Sequence, residues 1–176
     1  MASKPTIYKA TLNLVDMNRE IYATEKLTLA LHPSETQTRM MVRLLSYALN
    51  YHPDLEFSKG LSATDEPDLW LKRGDGSVEN WIEVGQASPE RLRKAVSKSD
   101  QVRLYAYGDE VDIWWNKHGD AFSALPKCEI FRFHAAEVEA LPRVCQRNME
   151  LTVSISEDQL YVVAEDEQLE VSLYRL

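Results

Sequence analysis

The stretch PDLWLKRGDGSVENWIEVGQ, residues 67–86, sets two short apolar runs around Gly74-Asp75-Gly76, and each run carries one carboxylate, Asp68 in the first and Glu83 in the second. An Asp-Gly pair is the strongest two-residue hairpin signal, because a type I′ turn needs positive φ at both central positions. With Asp75-Gly76 as that turn, the numbers of facing residues sum to 151. Lys72 then faces Glu79, Trp70 faces Trp81 and Asp68 faces Glu83. Side chains two apart share a face, so the three pairs line one side of the ribbon. The first two are favourable cross-strand partners. The third sets like charges opposite one another, with Cβ atoms roughly 4.5–5.5 Å apart, which destabilises. A divalent cation compensates such a pair, since Mg²⁺ is held by one or two carboxylates together with waters and phosphate oxygens. A surface hairpin with both acids solvated fits the same spacing.

Immediately downstream, residues 87–100 read as a helix, with Ser88 as N-cap and Pro89 at the first helical position. Leu92, Ala95 and Val96 face inward, while Arg91, Lys94 and Lys98 share the other side. Residues 101–108 are a strand, so strand, helix and strand form a right-handed parallel crossover. Upstream, residues 6–15 and 19–31 read as a long antiparallel hairpin around Asp16-Met17-Asn18. Residues 32–51 are a helix with Ser34 and Gln37 as a capping box and Met41, Leu44, Leu45, Ala48 and Leu49 as its apolar stripe. Glu35, Arg39 and Arg43 recur along another face as an ion-pair row, worth tenths of a kcal/mol per pair on a surface, ~0.2–0.5. A short strand is expected at 55–61. A helix within 110–125, a strand at 128–133 and a helix at 135–146 follow. Strands at 149–155, 159–165 and 169–175 close the chain as an antiparallel meander. The pattern predicts an α+β fold: a mixed sheet with flanking helices, plus an antiparallel sheet formed by the N- and C-terminal strands.

The 176 residues, 44% of them apolar and 27% charged, predict one domain, 1–176, with a substantial core. Cys128 and Cys145 have neither zinc-knuckle nor redox spacing, and the opening MASKPTIYK holds no long apolar run. The expectation is a cytoplasmic chain with buried thiols and no membrane partner. The net charge of −8 is concentrated at the C-terminal end: residues 150–176 hold seven acids against one base. Residues 89–103 run the other way, with five bases against two acids, a local basic patch directly after the carboxylate hairpin. The four histidines, at 32, 52, 118 and 134, include no pair with metal-ligand spacing. There is no dinucleotide fingerprint, P-loop or nucleophile elbow.

The element order, with Pro67-Asp68 on one hairpin arm and Glu83-Val84-Gly85 on the other, resembles the core of the PD-(D/E)XK nuclease superfamily. The stretches HPSET, PDLW and WIEVGQ, followed by the basic helix, resemble the bacterial YaeQ family along nearly the full length. The resemblance implies a nuclease-like core over about 34–134, with the terminal strands as an accessory sheet, and metal-dependent phosphodiester hydrolysis of DNA or RNA. Asp68 and Glu83 would hold Mg²⁺ or Mn²⁺, with Glu35 as an accessory ligand and Arg39 and Arg91 as phosphate contacts. Such nucleases place a lysine two residues beyond the Glu, to orient or activate the attacking water. Here that position is Gly85, which has no side chain. Gln86 or Lys94 would replace the lysine, since some members of the superfamily use glutamine and others move the lysine to the next helix. The departure at Gly85 sustains an alternative: a nuclease-fold module without catalysis that binds nucleic acid or a protein. The acidic C-terminal meander suits a protein partner better than wrapped DNA.

Overall fold

The computed structural model describes residues 4–59 and 63–176. The end of the strand expected at 55–61, Gly60 and Leu61, lies outside the described residues. The chain forms an α+β fold with two compact units: Met1–Leu49 with Ala136–Leu173, and Asn50–Ala135 with Tyr174–Leu176.

In the first unit, β1 (Thr6–Asp16) and β2 (Ile21–Leu31) form the expected hairpin, with Leu12 opposite Glu25. Alternation puts Tyr8, Ala10, Leu12 and Leu14 inside. The buried Asp16 carboxylate accepts the Asn18 and Arg19 N–H groups and pairs with Arg19 Nε at 2.6 Å, which fixes the turn. On its other edge β1 pairs in parallel with β8 (Asn148–Ser156), Leu12 beside Leu151. β9 (Gln159–Val163) and β10 (Gln168–Arg175) complete the antiparallel meander. The terminal sheet is therefore mixed rather than antiparallel.

Helix α1 (Gln37–Leu49) buries Met40, Met41, Leu44, Leu45 and Ala48. Its cap is Thr36, whose hydroxyl accepts the Arg39 N–H, while Ser34 bonds the His32 ring. The expected capping box is thus replaced by a single hydroxyl cap two residues later. In place of a helix over 135–146 the chain makes one turn, α4 (Ala135–Val138), and a 3₁₀ turn (Leu141–Val144). Pro142, the second residue of the 3₁₀ turn, has no N–H with which to continue the first turn.

The second unit orders its strands β3 (Leu55–Phe57), β4 (Leu69–Lys72), β5 (Val78–Val84), β6 (Ser99–Ala106) and β7 (Cys128–Phe133) side by side. The first three pair antiparallel and the last three parallel. Parallel neighbours need a crossover, and α2 (Pro89–Lys98) and α3 (Val111–Ser123) supply the two. Trp81, Leu92, Ala95, Val102, Leu104, Trp114, Phe122 and Ile130 form the core between these helices and one sheet face. At the chain end the Leu176 N–H donates to the Ile130 carbonyl, adding to β7. Among the described residues no helix is long and apolar enough to cross a membrane.

Candidate functional site

The site grows from the β4–β5 ladder. Leu69 faces Ile82, Trp70 faces Trp81 and Leu71 faces Asn80, the register expected from the sequence. The two tryptophans meet edge to face with centroids 6.3 Å apart. Nearer the turn the register shifts by one residue: Lys72 meets Val78, and Glu79 is the extra residue of a bulge. Lys72 instead places its ammonium 3.7 Å from the centre of the Trp70 ring. The loop is also longer than Asp75-Gly76. Arg73 and Gly76 close the turn through a 2.9 Å hydrogen bond, and Arg73 pairs with Ser77 at 2.8 Å. Gly76 takes the left-handed conformation, φ 87°. This is a three-residue loop, Gly74-Asp75-Gly76, with glycine in the bulge position. The longer loop and the bulge offset one another, so the tryptophan pair keeps its expected partners.

Asp68 lies one residue beyond the ladder. Its N–H donates to the Ile82 carbonyl at 3.1 Å, not to Glu83, and its Oδ2 accepts the Val84 N–H at 2.8 Å. The carboxylate thus stands in for a backbone carbonyl and bridges past Glu83. Asp68 is 5% exposed and Glu83 4%. That burial rules out the solvated surface hairpin.

Glu83 is held from two sides. Its Oε1 accepts the Trp81 indole N–H at 2.9 Å, and its Oε2 accepts Arg91 Nε at 2.8 Å. Arg91 directs its other two nitrogens to the Thr64 and Glu66 carbonyls, at 2.5 and 2.8 Å. Its own N–H is received by the hydroxyl of Ser88, the N-cap of α2. Burial pushes the Glu83 carboxyl above the ordinary glutamate range; Arg91 and the indole oppose that rise, and the charge of Asp68 adds to it. The compensation that the acid pair requires is therefore present as a guanidinium. Arg91, expected as a phosphate contact, is bonded to Glu83 instead, and Trp81, two residues before Glu83 on the same strand face, is a donor that its aromatic pairing with Trp70 conceals.

The remaining expected residues are distributed as follows. Gly85 ends β5 with φ 110°, its N–H bonded to the Tyr105 carbonyl. Gln86 is exposed and donates to the Tyr107 carbonyl at 3.2 Å. Lys94 and Lys98 are exposed on α2 and line, with Arg91, Trp81, Ser88 and Thr64, a cavity of about 340 Å³; Asp65 and Glu90 share its wall. Among the described residues neither lysine forms an ion pair with Asp68 or Glu83. Glu35 and Arg39 belong to the first unit. There Glu35 is buried, receiving Arg39 at 2.7 Å and Arg43 at 2.8 and 2.9 Å, while Arg43 also reaches the Ala30 carbonyl. The row expected to be a surface ladder is a buried cluster.

As arranged, the acid pair is a poor donor set for Mg²⁺. That ion requires near-octahedral oxygens at about 2.0–2.1 Å, and a cation already stands against Glu83. Among the described residues no three His, Cys, Asp or Glu side chains converge.

The family model of the YaeQ protein matches residues 1–173. The chain belongs to the YaeQ family. Proteins called "Uncharacterized protein YaeQ" from Salmonella typhi and Escherichia coli (strain K12) are 35% and 34% identical over 174 residues, covering 98% of this chain and 96% of theirs. The crystal structure of YaeQ protein from Xanthomonas axonopodis pv. citri superposes with a TM-score of 0.94 at 37% identity, over 97% of each chain. That of the Pseudomonas syringae protein gives 0.93 at 40%, over 98% of this chain and 96% of the other. At such identity the YaeQ-family fold extends over practically the whole chain.

Proposed function

We propose that this YaeQ-family chain is a module of PD-(D/E)XK type that holds the phosphates of DNA or RNA on the α2 face without cutting. The reading is carried by one observation: the acid pair already has its cation in Arg91, while Lys94 and Lys98 stand exposed on the same cavity. A lysine two residues beyond Glu83 is missing, and Gln86 is turned to a backbone carbonyl. The two ammonium groups are point charges suited to phosphate oxygens. The test is anisotropy of short labelled single-stranded and duplex DNA and RNA, first with chelator and then with Mg²⁺. Binding should persist in chelator, weaken in Lys94→Gln/Lys98→Gln, and leave the strands intact.

Metal-dependent phosphodiester hydrolysis is the second reading. The burial of two carboxylates on one hairpin favours it, since two buried acids are costly and only one of them is paired with Arg91. Strand cleavage that needs Mg²⁺ or Mn²⁺ and disappears in Glu83→Gln would make it the first.

A further inference from the structure

A guanidinium and a divalent cation compete for the same carboxylate charge. We infer that Arg91 is a built-in competitor that keeps the Asp68–Glu83 pair closed to divalent metal. Three of its nitrogens are engaged in three directions, to Glu83 and to the Thr64 and Glu66 carbonyls. The Ser88 cap fixes the backbone from which the side chain extends. A guanidinium is a rigid planar fork, so this arrangement is pre-organised in a way that a lysine could not reproduce. The Arg91 side chain is 36% exposed and that of Glu83 only 5%, so the cation stands in front of the acid. Arg91 and Trp81, the other group bonded to Glu83, both line the cavity. An ion entering from there reaches Glu83 only after displacing three hydrogen bonds. The inference does not depend on nucleic-acid binding, which rests on Lys94 and Lys98, so either can fail alone; it shares Arg91 only with the absence of cutting.

The experiment uses Mn²⁺ alone, followed by the spin resonance of the free ion and by melting, on wild type, Arg91→Met and Arg91→Met/Asp68→Asn. Arg91→Met should bind Mn²⁺ at least about tenfold more tightly than wild type, and the double variant should return to the wild-type level. At Mn²⁺ about ten times its dissociation constant, Arg91→Met should melt roughly 3–6 °C higher than without metal. Equal affinity in wild type and Arg91→Met, or no binding in either, overturns the inference. Should Arg91→Met fail to fold, the ¹⁵N spectrum of the wild type answers the same question. The Arg91 Nε–H and Trp81 indole N–H signals should keep their line widths as Mn²⁺ is added; broadening that vanishes in Asp68→Asn overturns it.

Discussion

Glu83 lies between two opposing effects, burial that disfavours its charge and a guanidinium that favours it. Burial prevails, so its carboxyl titrates above the ordinary glutamate range. Just above that range the folded chain holds a proton that the unfolded chain has released, so stability falls as pH rises through the window and levels off once Glu83 is ionised in both states. Glu83→Gln cannot release the proton and should lack this limb. Urea midpoints of wild type and variant, taken at steps from mildly acidic to neutral pH, measure it; an unchanged fall in the variant would assign the effect to another group. Neighbouring Gly85 shows why a motif lysine could not simply be restored. A Cβ there would meet nothing within 4 Å, but φ is 110°, a conformation that L side chains rarely adopt. Its backbone, rather than any lack of room, keeps the position glycine.

Among the elements, α2 was the most legible, because Ser88 and Pro89 are start signals of independent origin and the structure uses both. Ser88→Ala should cost about 1 kcal/mol, lowering the melting temperature by roughly 2–4 °C for a chain of this size. It also removes the hydroxyl that receives the Arg91 N–H. A calorimetric scan checks it, and an unchanged melting temperature would mean that the prolyl start and the packing of Leu92 suffice. The hairpin was legible in its tryptophans and not in its turn. Gly-Asp-Gly allows either a two-residue turn at Asp75-Gly76 or a three-residue loop with Gly76 in the bulge, and both satisfy glycine's freedom. Thr36 displaced Ser34 as the α1 cap for a similar reason: residues 34–36 offer two hydroxyls, and nothing local ranks them. Glu35, Arg39 and Arg43 had the spacing of a surface row, and only tertiary packing put them inside.

At the scale of the molecule the balance is acidic, with a net charge of −8, so attraction to a polyanion has to be local. If Lys94 and Lys98 are the two phosphate contacts, the logarithm of affinity should fall with the logarithm of salt at a slope of about −1.4 to −1.8. The slope should halve in Lys98→Gln; a slope several times steeper would place the contact surface elsewhere. The α+β class and most strands could be read from periodicity, and the acid pair from its conflict with that periodicity. Arg91 as the counter-charge could not, because its reach to Glu83 depends on how the link after β5 turns. The pairing of β1 with β8 was equally hidden, since no local signal announces a partner so far along the chain. That pairing also has a history during synthesis. At the usual pace of translation β1 leaves the ribosome on the order of ten seconds before Leu151, the partner of Leu12, has been made. Through that interval the newborn chain displays an open strand edge beside Ala10, Leu12 and Leu14, sticky to any neighbour. The strands of the second unit, β3 to β7, are all made in the meantime, so β1 meets its parallel partner only after they have emerged.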